Sequence, residues 1–501
     1  MKKLFALLLA VVMLLSLAAC DTEKPVDTKP KETQGNQPAE TKGTEPPETQ
    51  GPPVTVKWLT ICNEPEGADA VVDHINELLL ERYNLQVEFD WIGTGEYNER
   101  TKLASTGGED YDIVYTTYVW LNKFEENLAR GAFYDITDIL DEHGAAIKEQ
   151  LVPAIWDVAT VGGRIYAIPN QQASGTGLAF YVQKDLADKY GLDPTKPMSS
   201  GEDIEWFLQK IVENEEGMFP IHIPQGVFPQ DFEGIAATNL VGIKKSDDPA
   251  DGIEVFYKLA DSSWPKLNEW YNKGYLHPEY HISADLNTIK AANQFAVFTA
   301  NAILDGAATI SLQQGEEYYM IPYSNAYLSM AAGSDTMLAI NANSKDPVAA
   351  LRLINAFWED DEIYNTLMFG LEGTHYKKID DTHVELIEGS NWNVYSYDWA
   401  HGNQFNRWLM PGEYENKWAE TYETNATADV SPIRGFTCDL TELQVELTQI
   451  SAVLGEYKFA FLEDNWEELA VEYEEKMKAA GIETVVKTIQ EQLDKWLAEN
   501  K

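Results

Sequence analysis

Between residues 54 and 115 the hydrophobic pattern switches back and forth between the periods of a strand and a helix, and this alternation restricts the fold more than any other feature. Val54, Val56 and Trp58 alternate with Thr55 and Lys57, as on a half-buried strand. Val71, Val72, Ile75, Leu78, Leu79 and Arg82 then recur at helical spacing, with Asn84 placed to end the helix. Leu85, Val87, Phe89 and Trp91 alternate again; Gly93 and Gly95 break the chain before a helical stretch over 97–105. Residues 111–115, Tyr-Asp-Ile-Val-Tyr, read as a short buried strand. This order predicts an α/β fold built on a parallel sheet with right-handed crossovers. Ligands of open sheets bind outside the carboxyl ends of the strands, which here are the loops 61–67, 92–96 and 116–122. Those loops carry Asn63, Glu64, Tyr118 and Trp120.

A second α/β unit begins near Gly162. Residues 164–169, 178–182 and 221–223 read as strands, 185–190 and 203–213 as helices, and 295–299 and 337–340 as buried strands. Pro347 suits the first turn of a helix over 346–358. The C-terminal quarter is helical. Leu440, Leu443, Leu447, Ile450, Leu454, Tyr457 and Phe461 form one stripe behind a capping box of Asp439 and Glu442. Trp466, Leu469, Tyr473, Met477 and Ala480 form a second, stopped by Gly481, and Ile482, Val485, Ile489, Leu493 and Trp496 a third. Stripes at this spacing form core, so these helices are expected to pack onto the body.

The amino-terminal residues are of another kind. Lys2 and Lys3 precede an apolar run over 4–17, which reads as a signal peptide because a membrane span needs ~20 apolar residues. Leu17-Ala18-Ala19-Cys20 resembles the lipobox of bacterial lipoproteins, whose thiol is acylated before cleavage. Residues 1–20 are therefore expected to be removed or modified at Cys20, with lipid holding the protein on the outer face of the cell membrane. Residues 21–53 are rich in Pro, Thr, Glu, Lys, Gln and Gly, with Val26 the only branched aliphatic residue. Such a stretch cannot bury enough apolar surface to offset its ordering entropy and is expected to be a disordered tether. The body beyond it is too long for one ordinary core.

The formal charge of -45 opposes nonspecific binding to nucleic acid or anionic headgroups, and also disfavours polyanionic glycans unless a local Arg cluster overrides the field. Cys62 and Cys438 are expected to be unpaired thiols. His-Glu-x-x-His, Gly-x-Ser-x-Gly and Gly-x-x-x-x-Gly-Lys are absent, and Gly93-Thr94-Gly95 lacks the third glycine of a dinucleotide loop. Asp247, Asp251 and Glu254 read as an exposed acidic loop rather than a calcium site. Neither a cofactor nor a metal is expected. With 82 acidic residues, linear sequence leaves open a pair of glycosidase carboxylates.

Several ordered motifs carry a resemblance. Val161-Gly162-Gly163-Arg164-Ile165-Tyr166-Ala167-Ile168-Pro169 resembles the hinge of the extracellular solute-binding proteins of family 1, the group containing maltose-binding protein. Tyr111-Asp112-Ile113-Val114 before an aromatic loop is similar to the lipoproteins of that family in Gram-positive bacteria. Leu371-Glu372-Gly373-Thr374-His375-Tyr376, Trp399 with Gly402-Asn403-Gln404-Phe405, Ser431-Pro432, Gly435-Phe436 and the closing helix around Gln490 to Trp496 resemble a branch with an extra C-terminal domain of unknown function.

The resemblance implies a hinged, two-lobe fold of the periplasmic-binding-protein type II. On this reading the N-lobe is 54–165 with about 326–370, the C-lobe 166–325, and 371–501 a helical region packed on the lobes. It further implies a monomer that is not an enzyme and that delivers ligand to the permease subunits of an ABC importer. Segments 62–65, 116–120 and 170–173 fall where relatives touch sugar. A departure is Ala300-Asn301 after the strand at 295–299, where many relatives have an aromatic residue. A pyranose has apolar CH faces and a polar rim, which suit aromatic platforms and planar amides or carboxylates. Trp120, Tyr118, Trp392 and Trp399 are the candidate platforms; Asn63, Glu64, Asn170, Gln171, Asn403 and Gln404 are the candidate hydroxyl partners. The competing readings are a cell-surface glycosidase or lyase, and a binder of a peptide or cationic solute.

Overall fold

The computed structural model describes residues 51–499 apart from 119, 225, 229, 230, 236–239, 259–262, 282 and 305. Cys20, the signal peptide and nearly all of the tether lie outside the described residues.

The first sheet is ordered Leu85–Ile92, Val54–Ile61, Ile113–Thr116, Met337–Ile340, Ile168–Pro169. Val54–Ile61 pairs parallel with both of its neighbours, and helices Ala68–Tyr83 and Tyr97–Gly107 make the crossovers. Asn84 ends the first helix in the left-handed region at φ 53°, with its backbone N–H on the Leu79 carbonyl. The parallel arrangement extends over those strands only. Met337–Ile340 runs antiparallel to Ile113–Thr116 and to Ile168–Pro169, because the chain re-enters this sheet from the other lobe. Ile75, Leu79, Ile113, Leu338, Ile354 and Phe357 belong to one buried cluster that fills this lobe.

Residues 164–169 do not form the single strand expected. Arg164–Ile165 pairs with Thr160–Val161 in a hairpin, and Ile168–Pro169 joins the main sheet. The hairpin turn is Gly162-Gly163, both with positive φ (58° and 75°), a conformation costly to residues with a Cβ.

The second sheet is ordered Tyr318–Pro322, Gly177–Gln183, Phe295–Ala302, Phe219–His222. Phe180, Phe207, Ile221, Trp270 and Val297 fill a separate core beneath it.

The region 371–501, expected as a helical region packed on the lobes, makes contact with both cores. Its first part contains the hairpin Tyr376–Lys378/Val384–Leu386, the turns Val394–Ala400 and the helix Lys417–Thr427. Trp392, Val394, Ala400 and Trp408 bury into the first core. Helices Gln444–Tyr457, Trp466–Ala479 and Ile482–Glu499 pack on the second through Ile450, Tyr457, Met477, Val485 and Leu493. The capping box of Asp439 and Glu442 is not formed. The Asp439 carboxylate instead accepts from the Thr441 N–H, and the Asp439 N–H donates to the Gln492 side chain, so the long helix begins only at Gln444.

Three chain segments therefore pass between the cores: one after Pro169, one between Pro322 and Met337, and one after Thr427. They are cross-linked. The Asn170 N–H donates to the Thr336 carbonyl, Thr176 bridges to Tyr327, and Tyr327–Leu328 pairs parallel with Asp429–Val430. Buried Glu233, from the second lobe, accepts from the Met330 N–H at 2.5 Å, the Tyr327 hydroxyl at 2.7 Å and the Ser431 hydroxyl at 2.6 Å. Arg434 donates to the carbonyls of Ser329 and Ala332, each at 2.6 Å, and to that of Ala154 in the first lobe. A Cβ on Gly435 would stand 2.7 Å from the Asp157 carbonyl oxygen, so glycine allows this third crossing its close approach.

Candidate functional site

Between the lobes lies a cleft of about 1180 Å³, lined from both sides and by the crossing segments. On the first-lobe side Trp120 and Trp399 face it, ring centroids 6.0 Å apart and planes tilted by 41°. Trp120 sits on the loop after Ile113–Thr116, at the carboxyl edge of the sheet. Buried Thr117 folds this loop: its hydroxyl oxygen accepts from the N–H groups of Trp120 and Leu121, both at 2.9 Å. With its backbone held inward, Trp120 remains 48% exposed as a residue.

Trp399 is fixed by a polar scaffold that includes most of the amides singled out in the sequence. The Asn170 side chain donates to the Trp399 carbonyl at 3.1 Å. The Gln404 amide donates to the Asp398 carboxylate at 2.8 Å, which also holds the Arg407 guanidinium at 2.8 Å. Gln171 and Asn403 form a backbone bridge, and their side chains donate to the Gln150 carbonyl and the Gln150 side chain. Asn170, Gln171 and Asn403 are buried, and none of these four amides lines the cleft. Asn170 holds Trp399 directly and Gln404 holds its neighbour Asp398, while Gln171 and Asn403 tie the adjoining backbone to Gln150.

The other candidates are placed elsewhere. Trp392 is buried in the first core, its indole N–H shared by the carbonyls of Leu367 and Met368. Asn63 and Glu64 are exposed on the loop after Val54–Ile61 and are not among the residues lining the cleft. Tyr118 is half-buried, and burial pushes its hydroxyl up to about 12. Cys62 and Cys438 are free thiols.

The polar rim comes largely from residues the sequence did not mark. Gln172 lines the cleft and donates to the Thr336 hydroxyl at 2.8 Å, and Asp335 and Asn301 line it from the other crossing segment and the second sheet. Burial raises the Asp335 carboxyl above the usual carboxylate range. Gln172 belongs to the segment 170–173 implicated by resemblance; Asp335 had no signal in the sequence.

Among residues that do not line the cleft, Glu125 of helix Phe124–Ala129 shares a hydrogen bond with Thr437, next to Tyr118, Cys438 and Asp439. Burial, with the Asp439 charge adding to it, lifts Glu125 from 4.5 to about 7, and its Oε1 has no partner among the described residues. A carboxyl raised on folding keeps its proton while the unfolded chain ionises, so its contribution to stability falls as pH rises from about 4.5 to 7. Glu125→Gln is therefore expected to raise Tm by a few degrees at pH 8 and to leave it unchanged at pH 4.5. Thermal denaturation at the two pH values checks this; an equal shift at both would assign the effect to packing.

Residues 64–361 match the family described as bacterial extracellular solute-binding protein, and residues 432–498 match a domain of unknown function, DUF3502. The chain is 22% identical over 455 residues to a carbohydrate ABC transporter substrate-binding protein of Streptococcus pneumoniae, covering 89% of this chain and 91% of the relative. It is similar in fold to the N-glycan transport solute binding protein NgtS of Streptococcus pneumoniae, with TM-score 0.73 and 22% identity over 90% of this chain and 100% of NgtS. Against NgtS in complex with Man1GlcNAc the TM-score is 0.60, with 21% identity over 89% and 100% of the two chains.

Proposed function

The chain belongs to the bacterial extracellular solute-binding proteins, and we propose that its cleft captures an oligosaccharide and presents it to the permease of an ABC importer. Members of this family bind solute rather than transform it. The observation that carries the reading is the Trp120–Trp399 pair on one wall of an interlobe cleft of about 1180 Å³ with amide, hydroxyl and carboxyl groups around it. Indole faces bury the apolar CH surfaces of sugar rings, and groups such as Gln172, Asn301 and Asp335 meet hydroxyls. A volume above that of an ordinary small-molecule pocket suits several linked rings rather than one. The carbohydrate substrate of the curated relative supports the same class.

In this reading the three-stranded hinge lets the lobes close over ligand, as in other two-lobe binders. The protein works as a monomer, held to the outer face of the membrane by lipid on Cys20.

The test is calorimetry of the purified protein against a panel of oligosaccharides, followed by chromatography of the recovered ligand. Saturable one-to-one binding and an unaltered ligand are expected; chain shortening by a contaminant-free preparation would favour the glycosidase reading. In the producing cell, Cys20→Ser is expected to move the protein from the membrane fraction to the medium or leave an uncleaved precursor.

A further inference from the structure

The domain of unknown function matched over 432–498 reaches the cleft. Lys458, Phe459 and Phe461 belong to it and line the cleft beside Leu267 and Tyr280 of the second lobe. They lie on the chain that joins helices Gln444–Tyr457 and Trp466–Ala479. That chain is held in a tight turn: the Leu462 N–H donates to the Phe459 carbonyl at 3.0 Å, and the Glu463 N–H to the Ala460 carbonyl at 3.1 Å. The Asn268 amide, on the second-lobe helix Trp264–Asn272, donates to the Phe461 carbonyl at 2.8 Å and ties the turn to the lobe.

The rings gathered here differ in burial. Phe461 is buried in the second core, whereas Phe459 and Tyr280 are half-buried at its margin. Tyr280 packs edge-on against both phenylalanines, its centroid 6.5 Å from Phe459 at an interplanar angle of 82° and 6.1 Å from Phe461 at 67°. In an edge-on pair only one of the two rings lays its face on the other, which leaves ring face for a third group. Core packing accounts for Phe461; Phe459 and Tyr280 keep part of their surface on the cleft wall. The Lys458 ammonium, 5.0 Å from the Phe459 centroid, brings N–H donors for hydroxyls to the same place. Trp120 and Trp399 stand on the first-lobe side of this cleft, so aromatic rings line it from both sides.

We propose that the 432–498 domain is part of the ligand site: Phe459, with Tyr280 of the second lobe, forms a second aromatic subsite that takes a further sugar unit of an oligosaccharide resting on Trp120 and Trp399. The proposal rests on the reading that the cleft takes oligosaccharide, and adds to it a dependence on chain length. A short sugar meets one platform at a time. A chain that spans both gains the second contact without a second loss of translational freedom, so affinity rises with length until both platforms are covered. Because Asn268 fixes the turn in advance, little ordering entropy opposes the second contact.

Linear malto-, cello-, manno-, xylo- and chito-oligosaccharides, each from the disaccharide to the hexasaccharide, are titrated calorimetrically into the parent protein, Phe459→Ala, Phe459→Tyr and Trp120→Ala. In at least one series affinity is expected to rise by about tenfold from the shortest member that binds to the plateau, as for one sugar face covered by a phenyl ring. Phe459→Ala should remove most of that rise and leave the shortest member within about twofold of the parent, which also shows the cleft to be intact. Phe459→Tyr should restore the rise, and Trp120→Ala should lower affinity at every length. If Phe459→Ala does not fold, Tyr280→Leu, which keeps apolar volume without the ring, makes the same comparison. Oligosaccharide binding with no rise in the parent, or with the rise unchanged in Phe459→Ala, would overturn the second subsite and leave the oligosaccharide reading intact. An equal loss at every length in Phe459→Ala would assign Phe459 to the shape of the whole cleft and overturn the subsite as well. If no member of any series binds, both readings fall.

Discussion

Glu233→Ala is expected to lower folding stability by about 3–5 kcal/mol, the cost of breaking a buried, hydrogen-bonded charge site. Its carboxylate receives the Met330 N–H, the Tyr327 hydroxyl and the Ser431 hydroxyl, all within 2.7 Å. Alanine leaves those donors without their acceptor where the second lobe, the second crossing segment and the third crossing segment meet. Glutamine keeps one acceptor oxygen but turns an NH2 group toward the remaining donors, so Glu233→Gln should fall between parent and Glu233→Ala. Calorimetric unfolding of the three proteins measures the order. A loss below about 1 kcal/mol in Glu233→Ala would mean that water substitutes for the carboxylate and that the hinge is not held through it.

Trp120→Ala is expected to weaken oligosaccharide binding by roughly thirtyfold without loss of fold. Covering one sugar face with an indole removes on the order of 100 Å² of apolar surface from water, worth about 2 kcal/mol after imperfect contact. Trp399→Ala should cost at least as much, because Trp399 shares the wall with Trp120 and packs at 5.9 Å against both Tyr115 and Tyr397. Glu64→Ala should change affinity less than twofold, since Glu64 is exposed and does not line the cleft. Calorimetry with circular dichroism as the fold control decides the matter. Equal affinity in parent, Trp120→Ala and Trp399→Ala would move the binding wall elsewhere. Substituting Asn170 or Gln404, by contrast, should act through Trp399: weaker affinity together with an altered Trp fluorescence spectrum of the unliganded protein.

The period changes over residues 54–115 carried the first lobe in the sequence, because burial on a strand and on a helix demands different spacings of apolar residues. Helical stripes near the C-terminus were legible for the same reason, and Gly481 stops the second of them at φ 91° as expected of a glycine after a helix. The carboxyl-edge rule brought Trp120 into the site from strand order alone. It brought Asn63 and Glu64 to the same edge but not into the cleft, since an edge holds several loops and only packing decides which of them the opposing lobe faces.

Composition marked Asn170, Gln171, Asn403 and Gln404 as groups able to bond sugar hydroxyls, and a planar amide bonds a backbone carbonyl equally well. Tertiary structure chose the second use, burying Asn170 against the Trp399 carbonyl and turning Gln404 toward Asp398. It likewise separated Trp392 from Trp399: both are indoles on one C-terminal segment, and contacts with Leu367, Met368, Trp91 and His375 commit Trp392 to the core. The third crossing, with Glu233 and Arg434 as its fasteners, joins residues nearly two hundred positions apart, |i−j|=198 for Glu233 and Ser431. Local sequence determined which segments are strands and helices, because their periods are set by neighbours a few residues away. Which polar groups point into the cleft was decided only when distant segments packed together.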